Sequence, residues 1–141
     1  MSSVQARLLL FSVQGDRYAL ELQSVAEVLP PARTYPVPWA PPAIRGAMNF
    51  HGSLVAVLDL AEFMGTGTMS PEGNLLVLDR SIGNLALGVD RVENIVPSDL
   101  VREELDSIEP LVEKILVLDD GNARKLALAE IIETIITPGP R

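Results

Sequence analysis

The chain has 141 residues, no cysteine, a single histidine and a formal net charge of −8. That balance excludes a disulfide framework and thiolate chemistry, and it disfavours nucleic acid and anionic membrane surfaces, both of which need a basic stripe. Apolar residues make up 48% of the chain and aromatics only 4%, so Val, Leu and Ile fill a packed interior and disorder is not expected.

Residues 7–13 read as a strand, Gln14-Gly15-Asp16 as a turn and residues 17–22 as the returning strand. On that return, Tyr18, Leu20 and Leu22 share one face, and Ala19 and Glu21 the other. Residues 8–13 are too short an apolar run to span a bilayer and lack signal-peptide flanks, which predicts a cytoplasmic protein without membrane insertion. Residues 24–29 read as a turn and a strand. Residues 30–42 hold six of the eleven prolines and read as a rigid surface loop, since proline cannot sit in a central strand. Pro38-Trp39-Ala40-Pro41 also has the spacing of a polyproline ligand, a weaker reading because strands flank the loop closely.

Residues 44–50 and 53–58 read as two strands joined through His51-Gly52, and residues 59–64 as one or two helical turns. The glycine-rich stretch 65–73 is the junction between two halves, short enough to keep them packed together. The second half reads as a strand over 74–80, a turn over 81–84, a strand over 85–92 and its extension over 93–97. Residues 99–109 carry five acids and one arginine and read as a solvated loop or short helix. Residues 114–118 and 124–128 form a hairpin around Asp119-Asp120-Gly121-Asn122, and 129–136 a terminal helical turn or two ended by Pro138.

The two halves repeat each other. At a lag of about 67, Leu9-Leu10-Phe11 falls on Leu76-Val77-Leu78, Ala19-Leu20 on Ala86-Leu87, Val25 on Val92, Val28 on Ile95 and Pro30 on Pro97. At a lag of about 68, Leu60-Ala61-Glu62-Phe63 falls on Leu128-Ala129-Glu130-Ile131. Two copies of a small β unit that kept a buried face would share this much and little else. The expectation is a mostly-β protein: one domain over residues 1–141, made of two small barrels of about five strands on a shared core. The approximate subdomains are 5–70 and 71–137, with strand exchange between them an open variant. A groove between such units suits a binding module.

Catalysis finds little support. His51 is the one histidine, so no nucleophile–histidine set can be built without it. Asp119-Asp120-Gly121-Asn122 lacks the alternating acids of a calcium loop, and neither Gly65-Thr66-Gly67 nor residues 83–88 have the lysine of a phosphate loop. No enzyme, cofactor or metal site is expected. The segment that stands out is Ile44-Arg45-Gly46-Ala47-Met48-Asn49-Phe50-His51-Gly52. Its glycines suggest bends or close backbone approach, and alternation puts Arg45, Asn49 and His51 on one face, either as a site or as an ordinary exposed strand with Asn49 serving the turn.

These stretches resemble the chemotaxis coupling protein family, the CheW-like domain. Tyr18-Ala19-Leu20 with Val25-Ala26-Glu27-Val28 is similar to the family's first hairpin and V-x-E-[VI] strand. Pro42-Ala43-Ile44-Arg45-Gly46, Asn49-Phe50-His51-Gly52 and Val55-Ala56-Val57-Leu58-Asp59-Leu60 are similar to its central run, and Leu87-Gly88-Val89-Asp90-Arg91-Val92 to a second-half strand. The resemblance implies two SH3-like five-stranded subdomains and an adaptor without catalysis. Such an adaptor links the cytoplasmic tip of a methyl-accepting chemoreceptor to the regulatory domain of a CheA-like histidine kinase. Carried over by position, Val25, Glu27, Arg45, Gly46, Asn49, His51 and Gly52 would border the receptor-facing groove, with Leu75 doing likewise. The kinase contact would use an apolar barrel end.

Two departures stand out. His51 sits where the family usually has arginine, which always carries charge and can fork onto a carboxylate, whereas histidine as a side-chain type is mostly neutral at pH 7. Residues 112–117 lack the glycine that usually precedes the last hairpin. The alternative these departures allow is a divergent lone regulator that binds the kinase or another partner without engaging receptors.

Overall fold

The computed structural model describes residues 6–136. In chain order the strands are β1 (Arg7–Val13), β2 (Asp16–Glu21), β3 (Val25–Leu29), β4 (Ile44–Phe50) and β5 (Ser53–Asp59), then helix α1 (Leu60–Phe63). The second half runs β6 (Asn74–Leu78), β7 (Leu85–Val89), β8 (Arg91–Pro97), β9 (Glu103–Asp106), β10 (Val112–Leu118), β11 (Gly121–Leu126) and helix α2 (Leu128–Ile136). They make two sheets, a six-stranded one ordered β8-β1-β2-β11-β10-β9 and a five-stranded one ordered β3-β6-β7-β5-β4.

The repeat reappears in the pairing. Leu10 faces Ala19 in the first sheet as Val77 faces Ala86 in the second, and the parallel pair Lys125–Ala19 matches Val57–Ala86. Both sheets carry a bulge at the same place, between Val112 and Lys114 and between Ile44 and Gly46. Neither sheet is built from one half of the chain alone. The hairpin β1–β2 sits among β8–β11, and the hairpin β6–β7 sits among β3–β5.

That interleaving explains why β1 and β6 are continuous apolar runs. Leu9, Phe11 and Val13 enter a core shared with Leu76, Leu78, Leu58 and Leu87, while Leu8 and Leu10 point the other way into a smaller cluster with Leu116 and Ala123. Leu75 and Val77 do the same in the second sheet, with Met48, Val55 and Val57. Strands buried on both faces lose the polar alternation of a surface strand, and each such leucine adds roughly 1.5–3 kcal/mol of burial.

Three sequence readings are corrected. The strand read over 85–92 with its extension to 97 is two strands, β7 and β8, in different sheets. The break is at Asp90, whose carboxylate accepts the Gln14 N–H at 2.6 Å and the Ser70 N–H at 3.1 Å. The acidic stretch 99–109 contains β9, which gives the first sheet six strands instead of five. Its four residues are all exposed and pair only with β10, as charged edge strands do. Finally, α2 runs nine residues, longer than a turn or two. The proline-rich loop is held to the sheet: Tyr35 and Ala47 exchange two backbone hydrogen bonds of 2.8 Å. Beyond it, Val37-Pro38-Trp39-Ala40 closes a turn with Trp39 at φ 65°.

Where β2 meets β11, Lys125 Nζ donates to Glu21 Oε1 at 3.0 Å and lies 3.8 Å from Glu113. The hydrogen bond from Lys125, with a second from Gln23, holds the Glu21 carboxyl below its ordinary value. Burial works against the Lys125 charge, but the Glu21 hydrogen bond and the nearby carboxylates outweigh it and raise the ammonium. A lowered carboxyl contributes stability above the ordinary carboxylate range and loses it as pH falls; a raised ammonium contributes below the ordinary lysine range and loses it as pH rises. Lys125→Met is therefore expected to differ most from the parent between about pH 5 and about pH 10, the two urea midpoints converging outside that window. A difference independent of pH would refute the ion-pair account.

Candidate functional site

The β4–β5 hairpin turns through His51 and Gly52, at φ 50° and 85°. Positive φ at both central residues is a type I′ turn, which matches the strand twist and asks for glycine second. Asn49 Oδ1 accepts the Gly52 N–H at 2.9 Å and fixes the turn from within. The His51 ring stands edge-on to Phe50 with centroids 4.3 Å apart, and its Nε2 lies 3.7 Å from Glu27 Oε2 on β3. Both side chains are exposed, His51 at 77%. Glu27, Asn49, His51 and Gly52 thus lie together at one corner of the second sheet, the turn held by the Asn49 hydrogen bond.

The other four predicted residues lie elsewhere. Arg45 donates from Nε (3.1 Å) and Nη2 (2.6 Å) to Asp59 Oδ2, and its guanidinium is 3.7 Å from Glu62. Asp59, 0% exposed, also accepts the Glu62 N–H at 3.1 Å, capping α1, and the Met69 N–H at 3.0 Å. Arg45 is thereby part of an internal staple joining β4, β5, α1 and the junction between halves. The β4 bulge turns it away from the face it would share with Asn49 under strict alternation. Gly46, at φ 149°, lies against the loop: a Cβ there would come within 2.5 Å of the Tyr35 carbonyl oxygen. Val25 is half-buried against the shared core, and Leu75, 2% exposed, lies inside the second sheet.

Sequence reasoning passed over Leu54, which pairs with Asn49 beside the hairpin tip and is 73% exposed. The available signal was its place next to the turn, beyond the reach of the core that covers Leu58 on the same face.

The family model of the CheW-like domain matches residues 7–135. Among solved structures, the chain is similar to the scaffolding protein TtCheW from Thermoanaerobacter tengcongensis, with a TM-score of 0.77 and 22% identity over 90% of this chain and 87% of that one. No curated protein matches the sequence significantly.

Proposed function

Because the chain belongs to the CheW-like domain family, we propose that it is a non-catalytic signalling adaptor that couples the cytoplasmic tip of a methyl-accepting chemoreceptor to the regulatory domain of a CheA-like histidine kinase. The observation that carries this reading is the exposed, preformed corner of Glu27, Asn49, His51 and Gly52, with Leu54 beside it. A turn locked by its own hydrogen bonds has little entropy left to lose on docking, which favours binding by a small surface. The adaptor works in the cytoplasm; no described helix is long and apolar enough to cross a membrane.

Calorimetric titration against the kinase regulatory domain and, separately, a receptor-tip fragment tests this. Micromolar one-to-one binding to both is expected for transient contacts of this size. No binding to either would overturn it. His51 favours a second reading, a lone regulator that binds the kinase without receptors; kinase binding without receptor binding would establish that one.

His51→Arg separates the two. An arginine at this position carries permanent charge and a forked donor within reach of Glu27 and of a receptor carboxylate. Receptor affinity is expected to rise about tenfold, a gain of about 1.4 kcal/mol. Unchanged affinity would mean that the corner does not meet the receptor.

A further inference from the structure

We propose that Met69 is a reversible oxidation site, at which a hydroperoxide converts the thioether to a sulfoxide and so unseats the segment that packs on the core of the second sheet. The chain has no cysteine and four methionines, so thioethers are its only sulfur chemistry. Met48, Met64 and Met69 lie among the described residues. Met48 is 2% exposed inside the second-sheet cluster, and Met64 packs on the core shared by the two sheets. Met69 is half-buried. It follows the exposed residues 65–68, and its side chain packs on the cluster that holds Leu75, Met48 and Val57. It is therefore the thioether that touches both the second-sheet core and water, where a small oxidant reaches it.

The seat of this side chain exists because Gly88 has none: a Cβ there would collide with the Met69 sulfur and its terminal methyl. The same Cβ would lie 3.4 Å from the Leu58 carbonyl oxygen. The seat thus presents aliphatic side chains and a carbonyl, which suits a thioether. A sulfoxide oxygen needs a donor, and burying it against these groups is unfavourable. The reaction forms one S–O bond and breaks the peroxide O–O bond. Sulfur loses two electrons, and hydrogen peroxide is reduced to water with no proton left over. The backbone around the seat is tied by polar contacts. The Met69 N–H donates to Asp59 at 3.0 Å, Gln14 Nε2 to the Thr68 carbonyl at 2.8 Å and the Ser70 N–H to Asp90 at 3.1 Å. With these ties in place, loss of the seat is a local opening over Met48, Leu75 and Val57, not unfolding.

The internal repeat confines the effect to one sheet. Glu21, which faces Leu8 as Gly88 faces Leu75, puts a charged side chain at that place in the first sheet. Oxidation of Met69 therefore acts on the second sheet, and that sheet carries the Glu27–His51 corner. The cluster under Met69 also holds Phe50 and Leu29. Phe50 stacks edge-on with His51, and Leu29 is on β3 with Glu27. A looser core under Phe50 and Leu29 is felt at both members of the corner. Peroxide thereby weakens binding by that corner, and a thiol-dependent reductase of methionine sulfoxide restores it. This consequence rests on the adaptor reading; the oxidation site itself does not.

The test treats the full chain with hydrogen peroxide and follows each methionine by peptide-mapping mass spectrometry. Met69 is expected to gain oxygen about tenfold faster than buried Met48. In the Met69 sulfoxide the Leu75 and Val57 amides of the second sheet should exchange about tenfold faster, with the Ala19 and Ala123 amides of the first sheet unchanged. Met69→Leu fills the seat without a sulfur; its exchange should match the parent before peroxide and stay there after it. Met64→Leu should respond as the parent does. Treatment with methionine sulfoxide reductases should return the parent rates. Met69 reacting no faster than Met48, second-sheet amides unmoved in the sulfoxide, or Met69→Leu responding like the parent would each overturn the proposal. No partner is present in these measurements, so their failure leaves the adaptor reading standing. Where the reduced chain binds a receptor-tip fragment, oxidation should weaken that binding about fivefold and reduction should restore it. Equal binding by the oxidised chain would overturn the link to the corner.

Discussion

Asp59→Ala is expected to lower the unfolding free energy by about 3–5 kcal/mol, the range for breaking a buried, hydrogen-bonded charge cluster. The carboxylate is wholly buried and serves β4 through Arg45, α1 through the Glu62 N–H and the junction through the Met69 N–H. Deleting it leaves the half-buried Glu62 and Met69 N–H groups without their partner, and each such donor costs about 1–3 kcal/mol. Arg45→Met should cost less. Arg45 is itself partly exposed, and the carboxylate it leaves behind keeps its backbone N–H partners and gains water. Urea denaturation of the two variants at pH 7 checks the order; equal losses would mean that Asp59 owes its place to the arginine alone. Receptor binding adds a sharper reading. If Arg45→Met lost receptor affinity while its unfolding midpoint stayed at the parent value, the internal role given to Arg45 would be wrong.

What could be read from the sequence follows the physics of each segment. β1 and β6 were legible because burial on both faces leaves an unbroken apolar run, and the hairpin turns because Gln14-Gly15 and His51-Gly52 supply glycine where φ is positive. The repeat was legible for the same reason, since the inward positions of both copies are held by packing. The sheet assignment of β8 was not. It depends on Asp90 receiving the N–H groups of Gln14 and Ser70, which lie 76 and 20 residues away in sequence. β9 was hidden by its own acids: an edge strand with all four residues exposed has no periodic apolar signal to detect.

The site divided along similar lines. Gly46, Asn49 and Gly52 announced a bend, a turn and a close approach, and each is found. The strict period of two that grouped Arg45 with Asn49 and His51 failed at the bulge, a tertiary feature set by the loop that packs on Gly46. Leu75 sits in the core because it belongs to a strand buried on both faces, and position along the strand does not reveal that.

Gly46→Ala is expected to cost about 2–4 kcal/mol, combining a conformation near φ 150° that is essentially reserved for glycine with a backbone collision. The first sheet contains its own control. Its bulge carries Lys114 at the matching position, where the side chain reaches out to Asp106 at 2.6 Å and strand β9, in place of a loop, lies alongside. That bulge does without positive φ at Lys114, so a bulge does not of itself demand glycine; at Gly46 the φ of 149° and the Tyr35 carbonyl lying against it together do. Lys114→Ala should leave the urea midpoint close to the parent value, as expected for an exposed pair. Hydrogen exchange distinguishes the mechanism from a general loss of stability. In Gly46→Ala the Tyr35 and Ala47 amides, which hold the loop to β4, should exchange faster than the Val57 and Ala86 amides of the same sheet. Uniform acceleration would place the damage in the core. The selective pattern would show that one missing side chain anchors the proline-rich loop, and with it the edge of the sheet whose opposite end presents Glu27 and His51.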